Sequence, residues 1–211
     1  MSPAGTGGAL LVAERASLVV DGATLLPETS VAIDAGECIA LLGSNGAGKT
    51  TLLRLLSGRV RPSGGRVLLR GRPVEEREAA TRRAMAMLIE PPALYPDLTI
   101  SDHLALVTAL WDDAGPVEDA LARFELVALR DRFPHELSSG QRQLAHLALV
   151  FARPAEVLLL DEPEQRLDTD RRGLLAEAIL EARERGTAVA CASHDPELVE
   201  RIADRRVRVG E

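Results

Sequence analysis

The apolar positions of this chain follow two different periods. Short continuous apolar runs stand at Cys38–Leu42, bounded by Gly43, and at 85–89, 157–160 and 189–191. Unbroken runs of that length predict strands buried on both faces, as in a parallel sheet. Residues 10–20 and 29–34 also read as strands, joined through an Asp21-Gly22 turn into an antiparallel opening sheet. Pro62-Ser63-Gly64-Gly65 turns the chain into a further strand at 66–69, and 206–209 forms the last.

Between these runs, apolar residues recur at helical spacing. Helices are expected over 49–57, stopped by Gly58, and over 74–83, 138–151, 171–185, ended by Gly186, and 197–203. A proline-punctuated loop at 91–96 precedes two more helical stretches, 101–111 and 117–129, which read as a small helical insertion. Strands alternating with helices imply an α/β fold, a mostly parallel sheet with helices on both faces.

Composition supports a folded chain and narrows its partners. Hydrophobic residues make up 46% and charged residues 27% of 211 positions, enough to build a sizeable core in one domain. The formal charge of −7 argues against a broad nucleic-acid footprint, which clustered basic residues would have to supply. No apolar run approaches the roughly 18 residues needed to span a bilayer. The opening Met1-Ser2-Pro3-Ala4-Gly5 lacks the charged and apolar parts of a signal peptide, so a cytoplasmic location is expected. Cys38 and Cys191 sit in strand-like runs and read as small buried hydrophobes. Among 25 lysines and arginines, a single residue is lysine, and it is Lys49.

That lysine lies in Gly43-Ser44-Asn45-Gly46-Ala47-Gly48-Lys49-Thr50, which fits G-x-x-x-x-G-K-[ST] between a buried strand and a helix. Glycines let backbone N–H groups turn inward around phosphates, and the helix N-terminus adds positive potential. Lys49 would reach the terminal phosphates of ATP, the Thr50 hydroxyl would ligate Mg²⁺, and Thr51 completes the loop. The run Val157-Leu158-Leu159-Leu160 delivers Asp161 and Glu162 at its C-terminal end, where ligands bind in open α/β sheets. Asp161 is the candidate for holding Mg²⁺, and Glu162 the candidate base for water attacking the γ-phosphate. Leu137-Ser138-Ser139-Gly140-Gln141 opens a helix; alone it is an S-x-x-Q capping box, although a bare-glycine helix start is also an anion site.

The order of phosphate loop, helical insertion, LSSGQ, apolar strand with Asp161-Glu162-Pro163, and Ser193-His194-Asp195 resembles the ATP-binding cassette (ABC) family over nearly the whole chain. The resemblance implies a P-loop NTPase fold with an N-terminal antiparallel β subdomain. It divides the single domain 1–211 into a nucleotide-binding core, 1–90 and 153–211, and a helical subdomain, 91–152, carrying the signature motif. It further implies an ATPase whose two cassettes, as a homodimer or heterodimer, meet head to tail. Ser139, Gly140 and Gln141 would then contact ATP bound by the other subunit, and His194 would stand against the γ-phosphate. The partner implied is a separate integral membrane transporter subunit, which would hold the chain on the inner face of the cell membrane. A soluble ATPase switch acting on a cytosolic or nucleic-acid partner is the alternative.

Two positions depart from the family pattern. Where most members have a glutamine bridging Mg²⁺ and the attacking water, this chain has Glu90, which accepts hydrogen bonds without donating them but can still ligate the metal. Its Glu90-Pro91 segment and following Leu94-Tyr95-Pro96 resemble cassettes of bacterial peptide-antibiotic and multidrug exporters, which sets an expectation of export. No Phe, Tyr or Trp precedes Tyr95 to stack on adenine; Val20 occupies the approximate place.

Overall fold

A computed structural model describes residues 9–111 and 114–210. Two sheets carry the fold. An antiparallel sheet of order β2-β1-β4-β5 is built from β1 (Leu11–Val20), β2 (Ala23–Ile33), β4 (Gly64–Leu69) and β5 (Arg72–Pro73). A parallel sheet of order β6-β7-β8-β3-β9 comprises β3 (Cys38–Leu42), β6 (Met85–Leu88), β7 (Val157–Asp161), β8 (Ala188–Ala192) and β9 (Arg205–Arg208). This is the P-loop NTPase fold with its antiparallel subdomain, as expected.

The continuous apolar strands are explained by what lies on either side of them. Along β7, Leu158 and Leu160 face a core shared with helices α3 (Ile100–Thr108), α4 (Val117–Arg123), α5 (Ser139–Phe151) and α6 (Thr169–Glu184). Val157 and Leu159 face a second core, closed by α1 (Lys49–Leu56) and the antiparallel sheet. In β8, Val189 and Cys191 join the first core, and Ala188, Ala190 and Ala192 the second. Period-two alternation therefore persists, but both faces demand apolar side chains. Cys38 and Cys191 are buried free thiols, and burial pushes Cys38 up to about 12.

Three expectations need correction. The helix expected over 74–83 is confined to α2 (Ala79–Ala84). Ahead of it the Val74 N–H donates to Val67 O at 3.0 Å, extending the β4–β5 hairpin while Val74 packs on the second core. The helix expected over 117–129 ends at Arg123, passes Glu125 at φ 54 and resumes as a 3-10 turn, Val127–Leu129. Phe124 and Leu126 are both fully buried, and residues two apart on one helix cannot face the same core. The strand expected to begin at residue 29 begins at Ala23, because β2 is an edge strand and tolerates Pro27. The remaining helix, α7 (Pro196–Ile202), matches expectation. The Met1-to-Gly5 opening lies outside the described residues.

Candidate functional site

Register brings the chemistry to one edge. Leu41 pairs with Ala192, which pairs with Asp161, so the C-terminal ends of the neighbouring strands β3, β8 and β7 stop in one row. Leu88 pairs with Leu160, so Ile89 and Glu90 leave β6 at the same edge. The loops beyond these strand ends carry the phosphate loop, Ser193-His194, Asp161-Glu162 and Glu90.

After β3 the chain turns through Gly43, Ser44, Asn45, Gly46, Ala47 and Gly48 into α1. Gly48 caps the helix in the left-handed region at φ 99 with no side-chain cap, leaving first-turn N–H groups for an anion. A Cβ at Gly48 would stand 2.8 Å from Leu26 Cδ1 and 2.9 Å from Leu25 O, so the β1–β2 hairpin presses directly on the loop. Lys49 is buried, and its Nζ donates to Gly43 O at 2.8 Å and Ser44 O at 3.1 Å. The lysine thus closes the loop on itself beside the helix start, a cationic cradle that fits a polyphosphate.

The Thr50 hydroxyl donates to Asp161 Oδ2 at 2.6 Å. Burial pushes the Asp161 carboxyl above its ordinary range, opposed by the Thr50 bond and reinforced by neighbouring Glu162. A carboxylate under that pressure beside a hydroxyl fits a Mg²⁺ that takes its other ligands from phosphate and water. Glu162 follows in the left-handed region at φ 46, an uncommon conformation for a non-glycine residue. Its carboxylate lies 3.3 Å from His194 Nε2 and accepts from the Gln165 amide. Lys49, Thr50, Asp161, Glu162 and His194 are thereby gathered at one edge.

Glu90, at the same edge, is paired within the chain. Its carboxylate is engaged by Arg54, in α1, at 2.9 Å and by Arg59, just beyond that helix, at 3.9 Å. The charge that would have stood near the phosphates is matched by guanidinium instead.

Ser138 caps α5, accepting from Gln141 N at 3.2 Å, while its own N–H donates to Gln141 Oε1 at 2.9 Å. The capping box is therefore real, and it occupies the Gln141 carbonyl. Ser139 is exposed and Gly140 buried. Among the described residues none of Ser139, Gly140 and Gln141 hydrogen-bonds the 43–51 loop. What joins the signature helix to the catalytic edge is Gln143, whose amide donates to Pro163 O at 2.9 Å. Gln143, Glu164 and Gln165 escaped the sequence reading; each stands in a polar stretch that carries no local signal for it.

Comparison with known proteins agrees with this geometry. A family model described as ABC transporter matches residues 26–165, and the chain belongs to that family. It is 41% identical over 217 residues to the hemin import ATP-binding protein HmuV of Rhodopseudomonas palustris strain BisB18, covering 93% of this chain and 78% of the relative. It is 37% identical over 189 residues to the sulfate/thiosulfate import ATP-binding protein CysA 2 of Chromobacterium violaceum, covering 87% of this chain and 51% of that longer relative. Among solved structures, an ATP-binding subunit of an ABC transporter superposes with a TM-score of 0.85 at 27% identity, over 95% of this chain and 85% of the other. The cbiO1 protein of Clostridium perfringens, part of the cbiONQ transporter complex, gives 0.78 at 26% identity, over 96% and 85%.

The chain is an ATP-binding subunit of an ABC transporter, one that hydrolyses ATP with Mg²⁺ and works with a membrane transporter subunit and a second cassette. No helix among the described residues is long and apolar enough to cross a membrane. The relatives' names read import, so the expectation of export drawn from Glu90-Pro91 finds no support among them.

Proposed function

We propose that this chain is the ATPase of an uptake transporter, seated on the inner, cytoplasmic face of the cell membrane through its membrane partner. Import rests on the relatives for hemin, sulfate/thiosulfate and spermidine/putrescine, all named import ATP-binding proteins. Their cargoes differ while the cassette stays similar, which supports a membrane subunit that chooses the cargo. The domain division we propose is a nucleotide-binding core, 1–90 and 153–211, with a helical subdomain, 91–152.

The observation that carries the hydrolytic reading is the convergence of Thr50, Asp161, Glu162 and His194 at three adjacent strand ends. Gly43, Ser44, Asn45, Gly46, Ala47, Gly48 and Thr51 cradle the phosphates of ATP, and Lys49 neutralises the terminal ones. Thr50 and Asp161 are the residues that would hold Mg²⁺, whose charge would offset that of the phosphate oxygens. Glu162 takes the proton of the attacking water, oriented by the Gln165 amide and by His194. His194 also supports the γ-phosphate. Ser139, Gly140 and Gln141 complete the site of the second cassette. Glu90, held by Arg54 and Arg59, would be the residue facing the membrane subunit and would be free to join in holding Mg²⁺ only without those pairs.

The experiment is a detergent-solubilised pull-down of tagged Glu162→Gln protein with ATP, with companions identified by mass spectrometry. Loss of the base traps the ATP-bound dimer on its partner. An integral membrane protein in stoichiometric amount supports the reading, and ATP-dependent uptake by that pair in vesicles tests its direction. Soluble or ribosomal companions alone would replace the transporter with a cytosolic switch.

A further inference from the structure

The turn that carries Glu162 holds a second carboxylate that the hydrolytic chemistry leaves unused. Glu164 is 7% exposed, and its Oε1 accepts two bonds from the loop after β8: the Ser193 hydroxyl at 2.5 Å and the His194 backbone N–H at 3.1 Å. Its Oε2 is buried without a partner among the described residues. A buried carboxylate with one oxygen unpaired is costly, and an apolar side chain would fill the same space without that cost. Packing alone does not explain this residue.

What the carboxylate supplies is a connection between two loops that must agree in position. Glu162 holds a left-handed backbone at φ 46, and such strain persists only where surrounding structure over-determines it. The Glu162 N–H donates to Ala192 O at 2.8 Å, the Gln165 N–H to Glu162 O at 3.1 Å, and the Gln143 amide to Pro163 O at 2.9 Å. Glu164 adds the tie to the peptide of His194 itself. Through Ser193 Oγ, which also accepts from Asp195 N at 3.0 Å, the tie extends to Asp195, the N-cap of α7.

We propose that Glu164 is a positioning residue for hydrolysis: by clamping Ser193 and His194 to the Glu162 turn it sets the approach of His194 to the catalytic carboxylate. This rests on the reading of Glu162 and His194 as the hydrolytic pair. Glu164→Gln keeps an oxygen that accepts both bonds, whereas Glu164→Leu keeps the volume and loses them.

The test is steady-state Mg²⁺-ATP hydrolysis by the full chain, with thermal unfolding alongside. Glu164→Leu should lose about 10- to 100-fold in kcat, the scale of small misplacements in an active site, with KM for ATP within about twofold. Glu164→Gln should recover to within about threefold of the parent kcat. Parent-like hydrolysis by Glu164→Leu, equal loss in Glu164→Gln, or kcat and ATP affinity falling together would each overturn the proposal. Should Glu164→Leu fail to fold, Ser193→Ala removes one donor to Oε1, and an unchanged kcat there is equally fatal. A Glu162→Gln control hydrolysing at the parent rate would instead defeat the underlying hydrolytic reading, whatever the Glu164 variants do.

Discussion

Thr50 and Asp161, 111 positions apart in sequence, meet through a hydroxyl-to-carboxylate hydrogen bond of 2.6 Å. Parallel pairing through β8 makes the contact possible, because β3 and β7 end in the same row. The price is a carboxylate held in a buried setting that disfavours its charge.

That setting predicts a trade between stability and activity. Asp161 has a raised pKa in the fold, so its stabilising contribution is present below the ordinary carboxylate range and lost as pH rises through the folded value. At neutral pH its charge works against the nucleotide-free chain. Asp161→Asn, which can still accept from Thr50, should raise the thermal midpoint at pH 7 without Mg²⁺ and lower ATP hydrolysis by about 100-fold or more. Calorimetry and phosphate release measure the two effects, and a lowered midpoint would contradict the burial argument.

Glu162 and His194 should separate binding from chemistry. Glu162→Gln is expected to retain ATP binding while hydrolysis falls by about 100-fold or more, because the proton acceptor is lost but the phosphate cradle remains. Equal loss of nucleotide binding, measured by filter retention of labelled ATP, would place Glu162 among binding residues instead.

Gly140 is a packing constraint at the start of the signature helix. A Cβ there would stand 2.9 Å from Arg166 O and 3.0 Å from Arg171 Nη1. The backbone oxygen cannot swing aside as a side chain can, so Gly140→Ala should cost about 1–3 kcal/mol in denaturant unfolding. Displacement of the Ser139 end should also weaken ATP-dependent dimerisation, read by light scattering of the Glu162→Gln background.

His146, in the middle of α5, is buried with no partner for Nδ1 among the described residues. Burial, with Arg142 and Arg166 nearby, lowers its pKa from 6.5 to about 4. Between those values the unfolded chain binds the proton and the folded chain does not, so stability rises with pH across the window. His146→Leu should flatten this slope and stabilise the chain by about 1–3 kcal/mol. An unchanged slope in chemical denaturation from pH 4 to 6.5 would remove His146 as its source.

Val20 stands half exposed on the hairpin that presses on Gly48. With no aromatic there, ATP and GTP should bind with similar affinity, and Val20→Tyr should strengthen both by about 1–3 kcal/mol through base stacking. Fluorescent-nucleotide titration measures this, and strong preference of the parent for ATP would show that another contact reads the base.

Much of this was legible from sequence because the informative features are local. The strand Cys38–Leu42 was readable as an unbroken apolar run, and the adjoining phosphate loop as spaced glycines before a lysine. The break after Arg123 was not, since it follows from Phe124 and Leu126 entering one core together, which spacing alone does not disclose. Nor was the pairing of Glu90 with Arg54, residues 36 apart that meet only because α1 packs on the sheet toward the end of β6. Glu164 carries no signal in the sequence, because its contacts depend on Ser193 and His194 arriving from a neighbouring strand.

The single lysine has a practical side. A chain whose basic surface is otherwise all guanidinium offers amine-directed reagents, and amine-directed enzymes, one side-chain address, and that address is buried in the phosphate loop. Acylation of Lys49 and occupancy of the loop by nucleotide compete for the same few ångströms, so side-chain amine labelling should slow as the loop fills with nucleotide.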